Sequence, residues 1–355
     1  MTALDAAPDG LPNHFRADDY DTLADSPIVA GKLFVREFEV EGSRHYVVDA
    51  GDVGKWDGAR AAQDLERIVR QNHRFWCLLP FKRYVFLNVF RQGGGGLEHK
   101  SSTLLTSSPG GDASTKGYAS WLTFVCHEYI HAFNVKRLRP AELDTFDYEK
   151  PPRTASLWVS EGLTCYYDEI LTARAGLRSS EDVLAGLSSK IQRLQKSPGR
   201  LVQSLERASL EVWGTPTSGL PRDDSVDTVS YYVKGPIVGF LLDAKIQQAT
   251  GGRKSLDDVM RLAYQRYSGE HGFTPEQFQM TTEEVAGVDL KGWFHRAVSS
   301  TEELDYSEAL EWYGLQLGPK DDAARMWQLE TRPDSTVTQR ACWRKLVDPT
   351  LTGAK

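Results

Sequence analysis

The sequence predicts an α+β protein in which a lobe built on a mixed sheet precedes a mainly helical lobe. Segments rich in β-branched and aromatic residues are confined to the first third of the chain, and helical spacing of apolar residues prevails from about Tyr118 onward. The chain has 355 residues, of which 40% are hydrophobic and 26% are charged. It is therefore long enough for two lobes or two domains and has the composition of a folded globular protein.

The first lobe is predicted over residues 18–117, after an N-terminal tail of residues 1–17. Three segments have the composition of strands: Ser26–Val40, His45–Val48 and Lys82–Phe90. Between the second and the third, residues 58–75 place apolar side chains such as Ala61 and Leu65 at helical spacing. A sheet backed by a helix is therefore expected.

The second lobe is predicted over residues 118–317 and is mainly helical. Its apolar periodicity defines five long helical segments: Ala119–Lys136, Leu157–Ala175, Ser180–Lys196, Val226–Thr250 and Ser255–Tyr267. Residues 318–355 mix charges, tryptophans and turn formers, so they are described only as a C-terminal tail without assigned structure.

Charge and hydropathy exclude several classes of function. The formal charge of −7 and the lack of a dense basic tract argue against nucleic acid as a partner. The longest apolar stretches, such as Ile237–Leu242, are far shorter than the roughly 20 residues of a membrane-spanning helix. The first ten residues lack the cationic start and apolar core of a secretory signal, which predicts a cytoplasmic protein; a periplasmic or secreted protein stays open if the chain is truncated. The sequence does not indicate an oligomeric state.

An H-E-x-x-H motif, His127-Glu128-Tyr129-Ile130-His131, lies within an apolar-periodic segment. A helix places residues four apart on one face, so both imidazoles can reach one metal ion. Glu128 then projects beside them, within reach of a metal-bound water without being a ligand. The alternative is a pair of surface histidines on an ordinary helix. The apolar flanks argue against it, because unpaired histidines in a buried helix are costly.

A third metal ligand is expected, since catalytic zinc sites take three protein ligands and leave the fourth position to water. Glu161 lies in the segment LWVSEG, among apolar neighbours that would otherwise leave a carboxylate unpaired. The alternative is a charge at a helix N-terminus that the helix dipole favours. Two imidazoles and a carboxylate favour Zn²⁺, one ion per chain.

The segments HEYIHAFNVKRLRP and LWVSEGLTCYY resemble the glycyl aminopeptidase family of gluzincin metallopeptidases, which is related to the aminopeptidase N and thermolysin groups. The resemblance extends from about Asp18 to Leu317. It implies a thermolysin-like catalytic domain in which His127, His131 and Glu161 bind zinc and Glu128 is the general base. The family typically adds an N-terminal β domain and a C-terminal PDZ domain, so the chain looks like the catalytic core alone.

A second motif, Gly95-Gly96-Leu97-Glu98, follows a strand. Consecutive glycines let an extended backbone lie close to a peptide substrate. The resemblance implies that Glu98 holds the free α-ammonium of the substrate, by a charge-assisted hydrogen bond that makes the enzyme an exopeptidase. The alternative is a flexible hairpin followed by a solvated carboxylate.

The segment Tyr231-Tyr232-Val233-Lys234-Gly235 resembles the Y-x-K-G motif of the same relatives. The resemblance implies that Tyr232 donates a hydrogen bond to the reacting carbonyl, where the tetrahedral intermediate develops an oxyanion. The alternative is a tyrosine that packs in the core. Cys165 departs from the family pattern, since it stands four residues after Glu161 where a polar side chain could orient the first histidine.

The leading hypothesis is a zinc-dependent aminopeptidase that acts on peptides with a free N-terminus. A preference for small N-terminal residues, glycine or alanine, is implied by the resemblance alone. One alternative is a zinc endopeptidase, which would share the ligands and the base. The other is a peptide-binding protein of the same fold with weakened catalysis.

Overall fold

The computed structural model describes residues 1–108, 114–145, 147–212, 227–269 and 271–348. The chain divides into two compact units, Met1–Arg137 and Leu138–Lys355. The boundaries expected at residues 17, 117 and 317 stay predictions, because compactness and secondary-structure content divide a chain by different criteria. The first residue of the predicted helix Val226–Thr250 and the last seven residues of the C-terminal tail lie outside the described residues.

The first unit contains a five-stranded mixed sheet, as the sequence predicts. Its elements in chain order are β1 (Asp5–Ala6), β2 (Phe15–Arg16), α1 (Tyr20–Ala24), β3 (Leu33–Val40), β4 (Ser43–Gly51), α2 (Gly58–Trp76), β5 (Arg83–Phe90), β6 (Gly95–Glu98), β7 (Ser102–Ser107) and α3 (Thr115–His131). The spatial order of the five strands is β3-β4-β5-β7-β6. The pairs β4/β5 and β5/β7 are parallel, whereas β3/β4 and β6/β7 are antiparallel.

The sheet is buried because its central strands are apolar on both faces. In β5, the run from Tyr84 to Leu87 is fully or almost fully buried, as expected for a strand with parallel neighbours and both faces covered. The N-terminal residues pack against this sheet, where Met1 and Ala3 contact the cluster of Val48, Val85 and Leu87. The Arg83 guanidinium donates to the carbonyls of Ala3 and Leu4 at 2.7 and 2.6 Å.

Helix α3 is capped by Ser114, whose side chain accepts a hydrogen bond from the Gly117 amide. The sequence predicted that this helix continues to Lys136, but it ends at His131. Val135 has a φ of 121°, a conformation that β-branched residues rarely adopt and that is incompatible with a helix. The prediction was wrong at this end because apolar and basic periodicity continues past the point where the backbone turns.

The second unit is mainly helical, as predicted. Its longer elements are a π-helical turn (Trp158–Gly162), α4 (Leu163–Arg174), α5 (Ser180–Lys196), α6 (Leu205–Glu211), α7 (Tyr231–Ala249), α8 (Leu256–Tyr267), α9 (Pro275–Ala286), α10 (Lys291–Phe294), a second π-helical turn (His295–Ser299) and α11 (Ser307–Tyr313). Short 3₁₀ turns cover Ala141–Leu143 and Pro198–Leu201. The tail without assigned structure contains a strand pair, β8 (Leu315–Leu317) with β9 (Leu329–Thr331), and helix α12 (Val337–Val347).

Two glycines set the distance between α7 and the first π-helical turn. A Cβ on Gly235 would lie 2.6 Å from the Gly162 Cα, so only glycine permits this approach. Across the part of the chain that the structure describes, none of the helices combines the length and apolarity needed to cross a bilayer.

Candidate active site

The two histidines of the H-E-x-x-H motif lie on one face of the last turns of α3. The Nε2 atoms of His127 and His131 are 2.9 Å apart, and their rings are perpendicular with centroids 4.5 Å apart. His131 is buried and His127 is 9% exposed. The helical spacing predicted from the sequence therefore brings the two imidazoles together.

The tautomer of His131 follows from its neighbour on the chain. Its Nδ1 lies 2.9 Å from the Asn134 carbonyl oxygen. A carbonyl only accepts hydrogen bonds, so Nδ1 carries the proton and the neutral ring presents an Nε2 lone pair toward His127. Sequence reasoning missed Asn134, because any residue type can supply a backbone carbonyl.

This arrangement fits a divalent metal ion. Zn–N bonds of about 2.0–2.1 Å place two nitrogens of a tetrahedral ion roughly 3.3 Å apart, close to the separation of the two Nε2 atoms. A hydrogen-bonded carbonyl behind a histidine ligand is the usual way in which proteins fix the ring and raise its basicity. The His127–His131 pair is thus preorganised for a metal.

Glu128 lies directly against the edge strand β6. A Cβ added to Gly96 would come within 2.1 Å of the Glu128 Oε1 atom. Glu128 itself is only 5% exposed. Gly96 is therefore required for the close approach of strand and carboxylate. Gly95 is required for a different reason, since its φ of 130° favours glycine although a Cβ there would contact nothing.

Strand β6 forms one edge of the sheet and ends at Glu98. It pairs with β7 on one side, where Glu98 is opposite Thr103. Among the described residues, no strand pairs with its other side. Glu98 is half-buried and Leu97 is 54% exposed. The unpaired edge offers backbone amide and carbonyl groups to an extended peptide.

In the second unit, Glu161 and Tyr232 interact with each other. Glu161 lies in the π-helical turn, not in the regular helix that the sequence predicted for residues 157–175. Such turns are frequent at functional sites. Burial, followed by the charge of Glu161 and a hydrogen bond to it, raises the pKa of Tyr232 far above its ordinary range. Tyr232 is therefore a protonated hydrogen-bond donor at neutral pH.

Cys165 and Asp168 project from α4, one and two turns after Glu161. The Cys165 Sγ and an Asp168 carboxylate oxygen lie within 4.8 Å of each other. Asp168 is 7% exposed. Both also influence Lys190, whose pKa is raised by Glu169, Asp168 and Cys165 against the opposing effect of burial. The thiol that departs from the family pattern thus has a buried carboxylate beside it.

The comparisons with known proteins agree with this geometry. The sequence model of the M61 glycyl aminopeptidases matches residues 120–238, which include His127, His131, Glu161 and Tyr232. A search of curated protein sequences finds no match.

Solved structures show the same architecture. An aminopeptidase N family protein from Idiomarina loihiensis is similar with a TM-score of 0.83 and 28% identity, over 90% of this chain and 56% of that one. An M1 zinc metallopeptidase from Deinococcus radiodurans has a TM-score of 0.53 and 17% identity, over 78% of this chain and 53% of that one. The chain thus spans about half the length of these structures. A variant of the second protein, bound to a Tyr-Ser-Ala substrate, has a TM-score of 0.52 and 17% identity, over 78% of this chain and 53% of that one.

The α+β architecture predicted from the sequence is therefore the thermolysin-like fold of the gluzincins. The motif resemblance, the family match and the shared fold agree. Residues 120–238 match the M61 glycyl aminopeptidases, and this agrees with the family resemblance of the sequence.

Proposed function

We propose that this protein is a zinc-dependent aminopeptidase that hydrolyses the N-terminal peptide bond of peptides, with a preference for small N-terminal residues. The observation that carries the proposal is the histidine pair of α3. His131 has its Nδ1 proton engaged by the Asn134 carbonyl, and its Nε2 is 2.9 Å from that of His127. Such a pair is the core of a zinc site.

The proposed ligands of one Zn²⁺ are His127, His131 and Glu161. Two imidazoles and a carboxylate are a donor set typical of catalytic zinc. When bound, zinc lowers the pKa of a coordinated water to about 7 and polarises the carbonyl of the scissile bond. The match of the family model across all three residues supports this assignment.

Glu128 is the proposed general base. Its carboxylate accepts the proton of the attacking water and delivers it to the departing amine. The contact with Gly96 holds this carboxylate beside the edge strand, where a peptide would lie. Proton transfer by a positioned side chain typically contributes about 10²- to 10⁴-fold in rate.

Tyr232 is the proposed donor to the oxyanion. Its raised pKa keeps the hydroxyl protonated, so it can donate a hydrogen bond as negative charge develops on the carbonyl oxygen. Glu161 and Tyr232 therefore have two roles, metal binding by the carboxylate and oxyanion stabilisation by the phenol.

Glu98 and the free edge of β6 are proposed to bind the substrate. An extended peptide can add to this edge as a strand, with Gly95 and Gly96 allowing close approach. The Glu98 carboxylate, at the end of the strand, binds the α-ammonium of the first residue. The description of the matched family as glycyl aminopeptidases supports a small first residue.

The test combines metal analysis with substrate hydrolysis. Purified protein should contain about one zinc per chain and should release nitroaniline from glycyl and alanyl p-nitroanilides, with activity lost in a chelator and restored by zinc. Glu128→Gln is the control, because it should retain zinc and lose about 10²- to 10⁴-fold in kcat. Zinc-free protein, or equal turnover by Glu128→Gln, would refute the proposal.

The same assay separates the alternatives. Glu98 argues for an exopeptidase, so peptides with an acetylated N-terminus should not be cleaved. Efficient cleavage of acetylated peptides would instead identify an endopeptidase. Binding of peptides without turnover, in protein that holds zinc, would identify a peptide-binding protein of this fold.

A further inference from the structure

A buried charge cluster holds the turn between β6 and β7. The Asp25 Oδ2 atom accepts a hydrogen bond from the Lys100 backbone amide at 2.7 Å. Its Oδ1 atom accepts from the Lys136 ammonium at 2.6 Å and from the His99 Nδ1 at 3.2 Å. The three side chains are largely buried, with exposed fractions of 18% for Asp25, 16% for Lys136 and 7% for His99. The Asp25 carboxylate thus accepts from three donors.

Arg137 holds the same turn through the backbone carbonyl of Lys100. Its Nη1 donates to the Lys100 carbonyl at 2.7 Å and to the Ala132 carbonyl at 2.7 Å. Lys100 is therefore bound through its amide by Asp25 and through its carbonyl by Arg137. This turn directly follows Glu98, so the contacts determine where strand β6 ends.

Lys136 and Arg137 belong to the segment that orients His131. The Lys136 amide donates to the His131 carbonyl at 3.0 Å, and the Asn134 carbonyl accepts from the His131 ring. Val135, between Asn134 and Lys136, has a φ of 121°. A β-branched residue keeps such a conformation only where the surrounding contacts over-determine it. The ion pair of Lys136 with Asp25 is one of those contacts.

We propose that Asp25 is a positioning residue that ties the strand carrying Glu98 to the segment 134–137 that orients His131. The inference rests on the proposed function and extends it, since it assigns to the N-terminal segment a role in both substrate binding and metal binding. Asp25 caps the C-terminal end of α1 and is not among the proposed ligands of zinc or substrate. It acts through Lys100 on the one side and through Lys136 on the other.

The charge of Asp25 suits this role. Burial by itself would raise the pKa of the carboxyl, but the hydrogen bonds from His99, Lys136 and Lys100 outweigh it and leave the pKa lowered. The group is therefore ionised at neutral pH, and charge-assisted hydrogen bonds of this kind are stronger than neutral ones. Asp25→Asn removes the charge and places an amide N–H against groups that themselves donate.

The test compares Asp25→Asn with Asp19→Asn. Asp19 caps the N-terminal end of α1, where its side chain accepts from the Thr22 amide. Its loss perturbs the same helix and the attraction of its charge to Lys100, but removes none of the hydrogen bonds that hold the turn. Three measurements apply: amide hydrogen exchange of residues 95–107 in zinc-free protein, zinc affinity by competition with a chromophoric chelator, and KM and kcat on glycyl p-nitroanilide.

Asp25→Asn should speed hydrogen exchange in residues 95–107, weaken zinc binding by about 10-fold and raise KM by about 10-fold, with kcat changed less than KM. Asp19→Asn should match the wild type in all three. Wild-type exchange and wild-type zinc affinity in Asp25→Asn would overturn the inference. If the wild type binds zinc but hydrolyses nothing, the proposed function fails while exchange and zinc affinity still test the role of Asp25.

Lys136→Met provides a second test in case Asp25→Asn does not fold. It removes one donor and leaves the bonds of Asp25 to His99 and Lys100, so it should show smaller changes in exchange and zinc affinity in the same direction. The double variant with Asp25→Asn should be no worse than Asp25→Asn alone, because both act through one contact. Additive effects, or no effect of Lys136→Met, would show that the two segments are not linked through this ion pair.

Discussion

The end of helix α3 and the π-helical turn at residues 158–162 each present a proposed zinc ligand, but different interactions hold them. His131 is oriented by the Asn134 carbonyl, three residues further along the chain. Glu161 lies in a turn whose place depends on a glycine contact with the remote helix α7. Neighbouring backbone can therefore orient a histidine ligand, whereas the carboxylate ligand depends on packing between distant segments.

The largest expected effect comes from Tyr232→Phe, because the Tyr232 hydroxyl contacts Glu161 of the π-helical turn. Loss of the hydroxyl should lower kcat on alanyl p-nitroanilide by about 10²- to 10³-fold, because one donor to the oxyanion is removed. Zinc content, measured by elemental analysis, should stay at the wild-type level, since Glu161 remains in place. A variant that loses zinc as well would show that the phenol supports the carboxylate ligand, and a fully active variant would remove Tyr232 from the mechanism.

The second expected effect concerns the stability in acid of the contact between helix α3 and strand β4. His45 is fully buried, its Nδ1 donates to the Ser43 carbonyl, and its Nε2 accepts from the Tyr129 hydroxyl of α3. Burial, opposed by the bond to Ser43, lowers the pKa of His45 to about 4 from an ordinary 6.5. Between these values the unfolded chain binds more protons, so stability falls as pH drops from about 6.5 to about 4.

The loss should amount to about 3 kcal/mol in the free energy of unfolding. Denaturant unfolding of zinc-free protein at pH 7, 6, 5 and 4 measures it, and the absence of metal removes acid-driven zinc release as a second cause of destabilisation. His45→Phe, which retains the ring stacked on Phe38, should be less stable at pH 7 but should lack this contribution to the acid slope. If the stability of His45→Phe falls with pH as steeply as that of the wild type, the acid destabilisation does not come from His45.

A third, smaller effect tests the contact between Glu128 and the edge strand. Gly96→Ala places a Cβ against the Glu128 carboxylate and should lower kcat by about 10- to 100-fold, since a displacement of about 1 Å is enough for such a loss. Gly94→Ala is the matched control, because a Cβ there meets no atom within 4 Å. Equal activity of the two variants would show that the contact does not position Glu128.

The smallest expected effect concerns the glycine contact. Gly235→Ala should destabilise the fold by about 1–2 kcal/mol and weaken zinc binding, because the new methyl group meets the Gly162 backbone, which outweighs the better helix propensity of alanine. Gly239→Ala, in the same helix, meets side chains and not the Gly162 backbone, with Leu163 Cδ2 at 2.9 Å and Tyr166 Cγ and Cβ at 3.2 and 3.3 Å. It should lower the stability of the fold but leave zinc affinity at the wild-type level. Chelator competition and thermal unfolding measure both. If Gly235→Ala and Gly239→Ala bind zinc with the same affinity, the glycine contact does not position Glu161.

Much of the fold follows from periodicity alone. The helix predicted for residues 58–75 is found at Gly58–Trp76, and that predicted for residues 180–196 is found with the same bounds. Both have a clear apolar stripe and a side-chain cap, so local and tertiary preferences agree. The strand pair and helix of the C-terminal tail were not predicted, because their short apolar segments carry too little periodicity.

The H-E-x-x-H spacing is enough to predict that two imidazoles share one face of a helix, because four residues advance an α-helix by little more than one turn. The sequence also predicts roles for Glu128 and for the glycine motif before Glu98, and these roles stay predictions. The end of α3 at His131 and the π-helical turn of Glu161 are visible only in the folded chain. Contacts between residues far apart in the chain lie beside both features, Asp25 with Lys136 and Gly162 with Gly235, and no local pattern encodes such contacts.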